Sequence, residues 1–98
     1  MISTSISWYE SEDDYAAILA MLPAGESHMV MSYADYMAII QGQEANLSHM
    51  GFLPRRIVIK PAAFKEWCEL EGRPVDRKSI STYSTKMLNG RISNAKKN

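Results

Sequence analysis

Ninety-eight residues leave no room for two domains that each hold a core, and a hydrophobic share of 46% against 22% charged excludes a chain that stays disordered throughout. The net charge is zero, yet residues 1–54 hold seven acids and no Lys or Arg, while residues 55–98 hold all eleven Lys and Arg beside Glu66, Glu69, Glu71 and Asp76. Cys68 is the single cysteine, no apolar run approaches the ~20 residues of a membrane span, and no basic residue precedes Arg55, so a cytoplasmic protein without a membrane partner is expected.

Along the chain, Ile2, Thr4, Ile6 and Trp8 alternate with Ser3, Ser5 and Ser7. That period of two predicts a strand near a sheet edge, with the apolar set buried and the serines wet. Ser11 and Asp14 open a helix over 12–22, whose Tyr15, Ile18, Leu19 and Leu22 form one stripe ended by Pro23 and Gly25. Met29 to Met31 make a candidate short extended piece. Ser32 and Asp35 start a second helix, with Tyr33, Tyr36, Met37, Ile40, Leu47 and Met50 at helical spacing and a bend or stop expected near Gly42 and Glu44.

Ile57, Val58 and Ile59 are β-branched, so residues 56–60 read as a strand buried on both faces. Pro61 begins a helix in which Phe64, Trp67 and Cys68 share a face, Leu70 sits at its edge and Gly72 stops it. Asp76 caps a last helix with the stripe Ile80, Tyr83 and Met87, ended by Asn89-Gly90. The reading is a small single α+β domain over residues 1–90, about four helices packed on a short two- or three-stranded sheet, with a basic, flexible tail over 91–98. Residues 56–60 must pair with 2–8, with 29–31, or with the same strand of a second chain.

The residues that carry chemistry are few. His28 and His49 have no Cys, Asp or Glu at metal-ligand spacing, and Cys68 lies mid-helix on an apolar face, where packing explains it better than nucleophilic attack. Glu10, Glu12, Asp13 and Asp14 lack the glycine turn and distal glutamate of a calcium loop. With no phosphate-cradling loop, nucleophile elbow or paired-histidine motif, no catalytic residue, metal or cofactor is expected. The best contact surface is the last helix. Opposite its apolar stripe stand Lys78, Ser81, Thr82, Thr85 and Lys86, with Arg73 and Arg77 in the preceding turn; Arg55 and Arg56 extend the set if the fold brings them there.

Ile57-Val58-Ile59-Lys60-Pro61 running into Phe64, Trp67 and Cys68, then Gly72 and the helix of Tyr83, resembles a group of small uncharacterised bacterial proteins of plasmids and other mobile elements. Asp13-Asp14-Tyr15 through Leu22-Pro23 and Ser32-Tyr33-Ala34-Asp35-Tyr36 match the same layout, so the likeness spans residues 13–90. It implies a bacterial context and assigns no activity. The order strand, helix, Gly72-Arg73-Pro74-Val75-Asp76, helix also looks like a ribbon-helix-helix DNA-binding module, which pairs this strand with its copy in a second subunit. Its first helix is a turn short for that, and Ile57-Val58-Ile59 presents apolar groups where base edges need polar ones.

These readings point first to a non-enzymatic accessory or adaptor protein that acts by macromolecular binding as a homodimer. Second stands a nucleic-acid-binding regulator that uses Arg73, Arg77, Lys78, Lys86, Arg55 and Arg56. Third is a small-molecule-binding domain whose pocket is lined by Tyr, Trp and Met.

Overall fold

Helix starts follow the caps that the sequence offers. The Ser11 hydroxyl accepts the Asp14 N–H at 3.1 Å and opens α1 (Glu12–Met21); the Ser32 hydroxyl accepts the Asp35 N–H at 3.1 Å and opens α2 (Tyr33–His49). Pro61 stands at the first position of α3 (Pro61–Glu71), which ends on Gly72 with φ 64°, a left-handed turn that costs glycine nothing. Asp76 Oδ1 accepts the Ser79 N–H at 2.8 Å and opens α4 (Arg77–Lys97). The computed structural model describes residues 2–23 and 31–97, with side chains as far as Gly90. Met29, Val30 and His28 lie outside the described residues.

Two strands make the sheet, β1 (Ser3–Trp8) and β2 (Leu53–Val58), paired in parallel from Ser3 opposite Leu53 to Trp8 opposite Val58. The fold is a small α+β domain, among the described residues four helices on a two-stranded parallel sheet, in the order β1, α1, α2, β2, α3, α4. Pairing within one chain differs from the ribbon-helix-helix arrangement, because the strand before Pro61 joins β1 of its own chain. The second strand also starts earlier than the β-branched run suggests. Pro54 fits there because Leu53 and Ile59 turn their N–H groups toward β1 and the alternate residue Pro54 faces the free edge, where a missing donor is harmless.

Alternation sets Ser3, Ser5 and Ser7 with Leu53, Arg55 and Ile57 on one face, and Thr4, Ile6 and Trp8 with Pro54, Arg56 and Val58 on the other. The serine face is not the wet one. Helix α4 packs on it, and the hydroxyl of the buried Ser84 lies 2.7 Å from that of Ser7. Two small side chains let helix and strand approach closely while each hydroxyl satisfies the other. Ile57, and Ile59 just past the strand, point the same way into the main core, with Ile18, Phe64, Cys68, Ile80, Tyr83 and Leu88. Val58 between them turns to the other face and is half-buried, so the run is fully buried on one face only, not on both.

On the other face, α2 crosses the sheet. Ile40 and Ile6 are buried, and Glu44, one turn beyond Ile40, takes the Arg56 guanidinium with two hydrogen bonds of 2.7 and 3.0 Å. Helix α2 therefore runs through Gly42 and Glu44 without a break: Gly42 is exposed and Glu44 is an anchor. The stripe of α4 is also shifted from the expected one. Leu88 and the serines Ser79 and Ser84 are buried and Met87 is exposed, because the sheet lies beside the small residues. The helix backbone continues past Asn89-Gly90 to Lys97.

Candidate functional site

Where β1 ends, the chain turns Tyr9 inward, and three more tyrosines converge on it. Tyr15 comes from the first turn of α1, and Tyr33 and Tyr36, three residues apart, come from one face of α2. Ring centroids lie 5.4 Å apart for Tyr9 and Tyr15, 5.3 Å for Tyr9 and Tyr36, 5.2 Å for Tyr15 and Tyr36, and 5.6 Å for Tyr15 and Tyr33. These tilted and edge-on contacts suit rings with negative faces and positive edges. Tyr33 donates its hydroxyl to the Tyr9 carbonyl at 2.6 Å, Tyr36 to the Ser7 carbonyl at 2.8 Å, and Tyr15 to the Met31 carbonyl at 2.8 Å. The first two carbonyls face away from β2, so α2 docks on the outer edge of β1 through its phenols.

Burial raises the pKa of Tyr9, Tyr15 and Tyr36 in this cluster. Tyr9 is pushed well above the ordinary phenol range by desolvation, reinforced by Tyr36 and Tyr15; Tyr36 is pushed up to about 12 and Tyr15 upward, again mainly by burial. The Arg77 cation opposes each shift, which places its charge near all three rings. At neutral pH these three phenols are protonated, and those of Tyr15 and Tyr36 donate to backbone carbonyls.

Between this cluster and the start of α4 lies a cleft of about 320 Å³. Ile18, Leu22, Ile40 and Ile80 supply an apolar floor, the rings of Tyr9, Tyr15 and Tyr36 a wall, and the exposed Ile39, Gln43, Arg77 and Ser81 the mouth. It sits at the carboxyl end of β1, which is where open sheets with parallel strands take ligands.

The chain matches no family model, no curated protein and no solved structure in comparisons with all three.

The six cations read from the sequence are distributed over different parts of the molecule. Arg56 lies on the α2 side of the sheet, its guanidinium 3.7 Å from the centre of the Trp8 ring while it also holds Glu44. Arg55 is exposed and, by strand alternation, belongs to the opposite face. Arg73 and Lys86 do come together, at 5.6 and 5.8 Å from the centre of the Trp67 ring, and Lys86 also pairs with Glu71 at 3.0 Å. Lys78 is exposed on the first turn of α4 and Arg77 lines the cleft. Among the described residues, the acidic and basic halves of the chain meet through Glu44 with Arg56 and through Lys60, which contacts Glu10 and Asp14.

Cys68 is fully buried, and burial pushes its thiol pKa up, away from the thiolate a nucleophile needs. His49 is exposed at the end of α2. Among the described residues, no three His, Cys, Asp or Glu side chains come together as a metal-holding group. The tyrosine cluster is what sequence reasoning missed. Tyr15, Tyr33 and Tyr36 read as stripe residues, and the signal that set them apart was the repeated choice of a phenol where leucine would fill the same position.

Proposed function

We propose that this chain binds a small organic ligand in the cleft between α1, α2 and α4, one with an apolar or aromatic body and an anionic end. The carrying observation is the combination in one 320 Å³ cleft of an apolar floor, three tyrosine rings and the Arg77 guanidinium at the mouth. That volume is at the small end of ligand sites, whose usual composition is an apolar lining with a few placed polar groups. Arg77 matches a carboxylate, sulfonate or phosphate through a forked, charge-assisted contact, and the rings give an aromatic body edge and face contacts. Binding rather than catalysis is proposed, because the phenols hold their protons and Cys68 lies outside the cleft's lining.

Fluorescence titration with anilinonaphthalene sulfonate, an aromatic anion, tests this directly. Saturable binding is expected, weakened about tenfold by Arg77→Gln, which corresponds to about 1.4 kcal/mol. Ile18→Trp, which fills the floor, should abolish binding in a chain that still melts cooperatively. No saturable binding, or equal binding by all three proteins, would refute the proposal.

A second reading, an accessory protein that acts by macromolecular binding, draws support from the Trp67 surface. Leu70 is 79% exposed one turn beyond Trp67, and the cations of Arg73 and Lys86 lie by the same ring. A labelled DNA duplex retained at low salt and released steeply as salt rises, with weaker retention by a Lys78→Ala, Lys86→Ala double variant, would direct this reading to nucleic acid. Salt-insensitive or absent retention would direct it to protein partners.

A further inference from the structure

We propose that two copies of this chain associate through the first half of the outer edge of β1, antiparallel, about a two-fold axis at Thr4. The Leu53 N–H bonds to the Ile2 carbonyl and the Ile59 N–H to the Trp8 carbonyl, so even-numbered residues of β1 turn their backbone groups to β2 and odd-numbered residues turn theirs outward. Of the outward groups, the carbonyls of Ser7 and Tyr9 accept from Tyr36 and Tyr33. Those of Ser3 and Ser5 take no hydrogen bond among the described residues. A row of open donors and acceptors of this kind is a template for another strand, and proteins commonly blunt it with proline or charge. The outer edge of β2 has both, in Pro54 and Arg56. Residues 2–9 have neither.

A second copy is the occupant that fits. With the axis at Thr4, Ser3 pairs with the partner's Ser5 and Ser5 with the partner's Ser3, which satisfies the outward N–H and C=O groups of both serines in both chains using one sequence twice. Ile2, 69% exposed, then lies opposite the partner's Ile6 on a shared face, and Thr4 opposite the partner's Thr4. An uncharged edge meets its own copy without like-charge contact, whereas a charged partner finds nothing to pair with. The register cannot slide further along, because a longer overlap would need Ser7, whose outward carbonyl side is occupied by Tyr36. The two sheets join as one of four strands in the order β2, β1, β1, β2, which exceeds the three-strand minimum for a sheet that stands by itself. This interface is independent of the cleft and of the ligand proposed for it.

Directly opposed residues at an antiparallel pair without backbone hydrogen bonds bring their Cα atoms about 4.5 Å apart, within the range of about 4.4–6.8 Å that a disulfide spans. Thr4→Cys should therefore form a covalent dimer under copper–phenanthroline oxidation several-fold faster than Thr85→Cys, placed on the exposed side of α4; the buried Cys68 stays out of the reaction. In sedimentation equilibrium the unaltered chain should dimerise. Thr4→Lys, which sets two ammonium groups side by side, and Ser5→Pro, which removes only an outward N–H, should shift it to monomer with unchanged circular dichroism. A chain that stays monomeric at every concentration, or equal cross-linking rates for the two cysteine variants, would overturn the proposal. Dimers that persist in both Thr4→Lys and Ser5→Pro would overturn it as well, by placing the interface elsewhere.

Discussion

The contact between Ser7 and Ser84 is a pair of hydroxyls 2.7 Å apart beneath a helix, with Ser84 2% exposed. Removing one of them leaves the other without its partner, so Ser84→Ala and Ser7→Ala should each cost about 1–2 kcal/mol in urea unfolding. The double variant should cost less than the sum, with a coupling of about 1 kcal/mol. Additive losses would show that the hydroxyls do not act as a pair. Ser79 makes the same use of a small polar side chain, its hydroxyl donating to the Pro74 carbonyl at 2.7 Å to fix the turn before α4. From sequence, the serines of β1 read as a solvent face, since a period of two says which residues share a side and nothing about what covers it.

At the scale of elements, the helix starts were legible because a cap is local chemistry. Ser11, Ser32, Pro61 and Asp76 each act within four residues of themselves. Asp76→Ala should destabilise the protein by about 1 kcal/mol, and Asp76→Asn, which keeps an oxygen acceptor, by only a small part of that. Equal losses in thermal or urea melts would mean that the carboxylate acts through charge alone. Helix ends were less legible. Gly72 stops α3 because its left-handed turn closes on the Glu69 and Cys68 carbonyls, whereas Gly90 does not stop α4. The Asn89-Gly90 pair permits a turn and does not compel one. The parallel pairing of β1 with β2 was open from sequence, because the intervening α1 and α2 could equally have served a third strand or a second chain.

For the whole molecule, the tyrosine cluster ties stability to alkaline pH. An unfolded phenol ionises near pH 10, while Tyr36 in the fold holds its proton to about 12 and Tyr9 holds its own higher still. Below pH 10 the phenols are protonated in both states and their contribution is complete. As pH rises from 10 toward 12 the unfolded chain loses protons that the folded chain keeps, so stability falls. Lys60 acts in the same direction: its pKa is raised by hydrogen bonds to Glu10 and Asp14, and its pairing is lost as the ammonium deprotonates. The urea midpoint should drop across this window, and Tyr36→Phe, though less stable at neutral pH, should show a flatter drop. An unchanged slope would mean that Tyr36 does not hold its proton against solvent. Phenolate absorbance of the native protein should show at least two tyrosines that titrate late.

By itself the sequence determined the starts of the four described helices, the place of both described strands to within a few residues, the apolar identity of Ile18, Ile57, Ile59, Phe64, Cys68, Ile80 and Tyr83 as core, and the polarised halves of the chain. Each of these depends on a repeat or a cap only a few residues long. Tertiary structure decided which sheet face each helix covers, that four tyrosines from two helices and the turn after β1 meet where that strand ends, that Arg77 lines a cleft, that Arg56 and Lys86 hold carboxylates, and that the outward carbonyls of Ser3 and Ser5 take no hydrogen bond among the described residues. Those features join residues up to 77 positions apart, and spacing along a chain carries no information about which of its distant parts will touch.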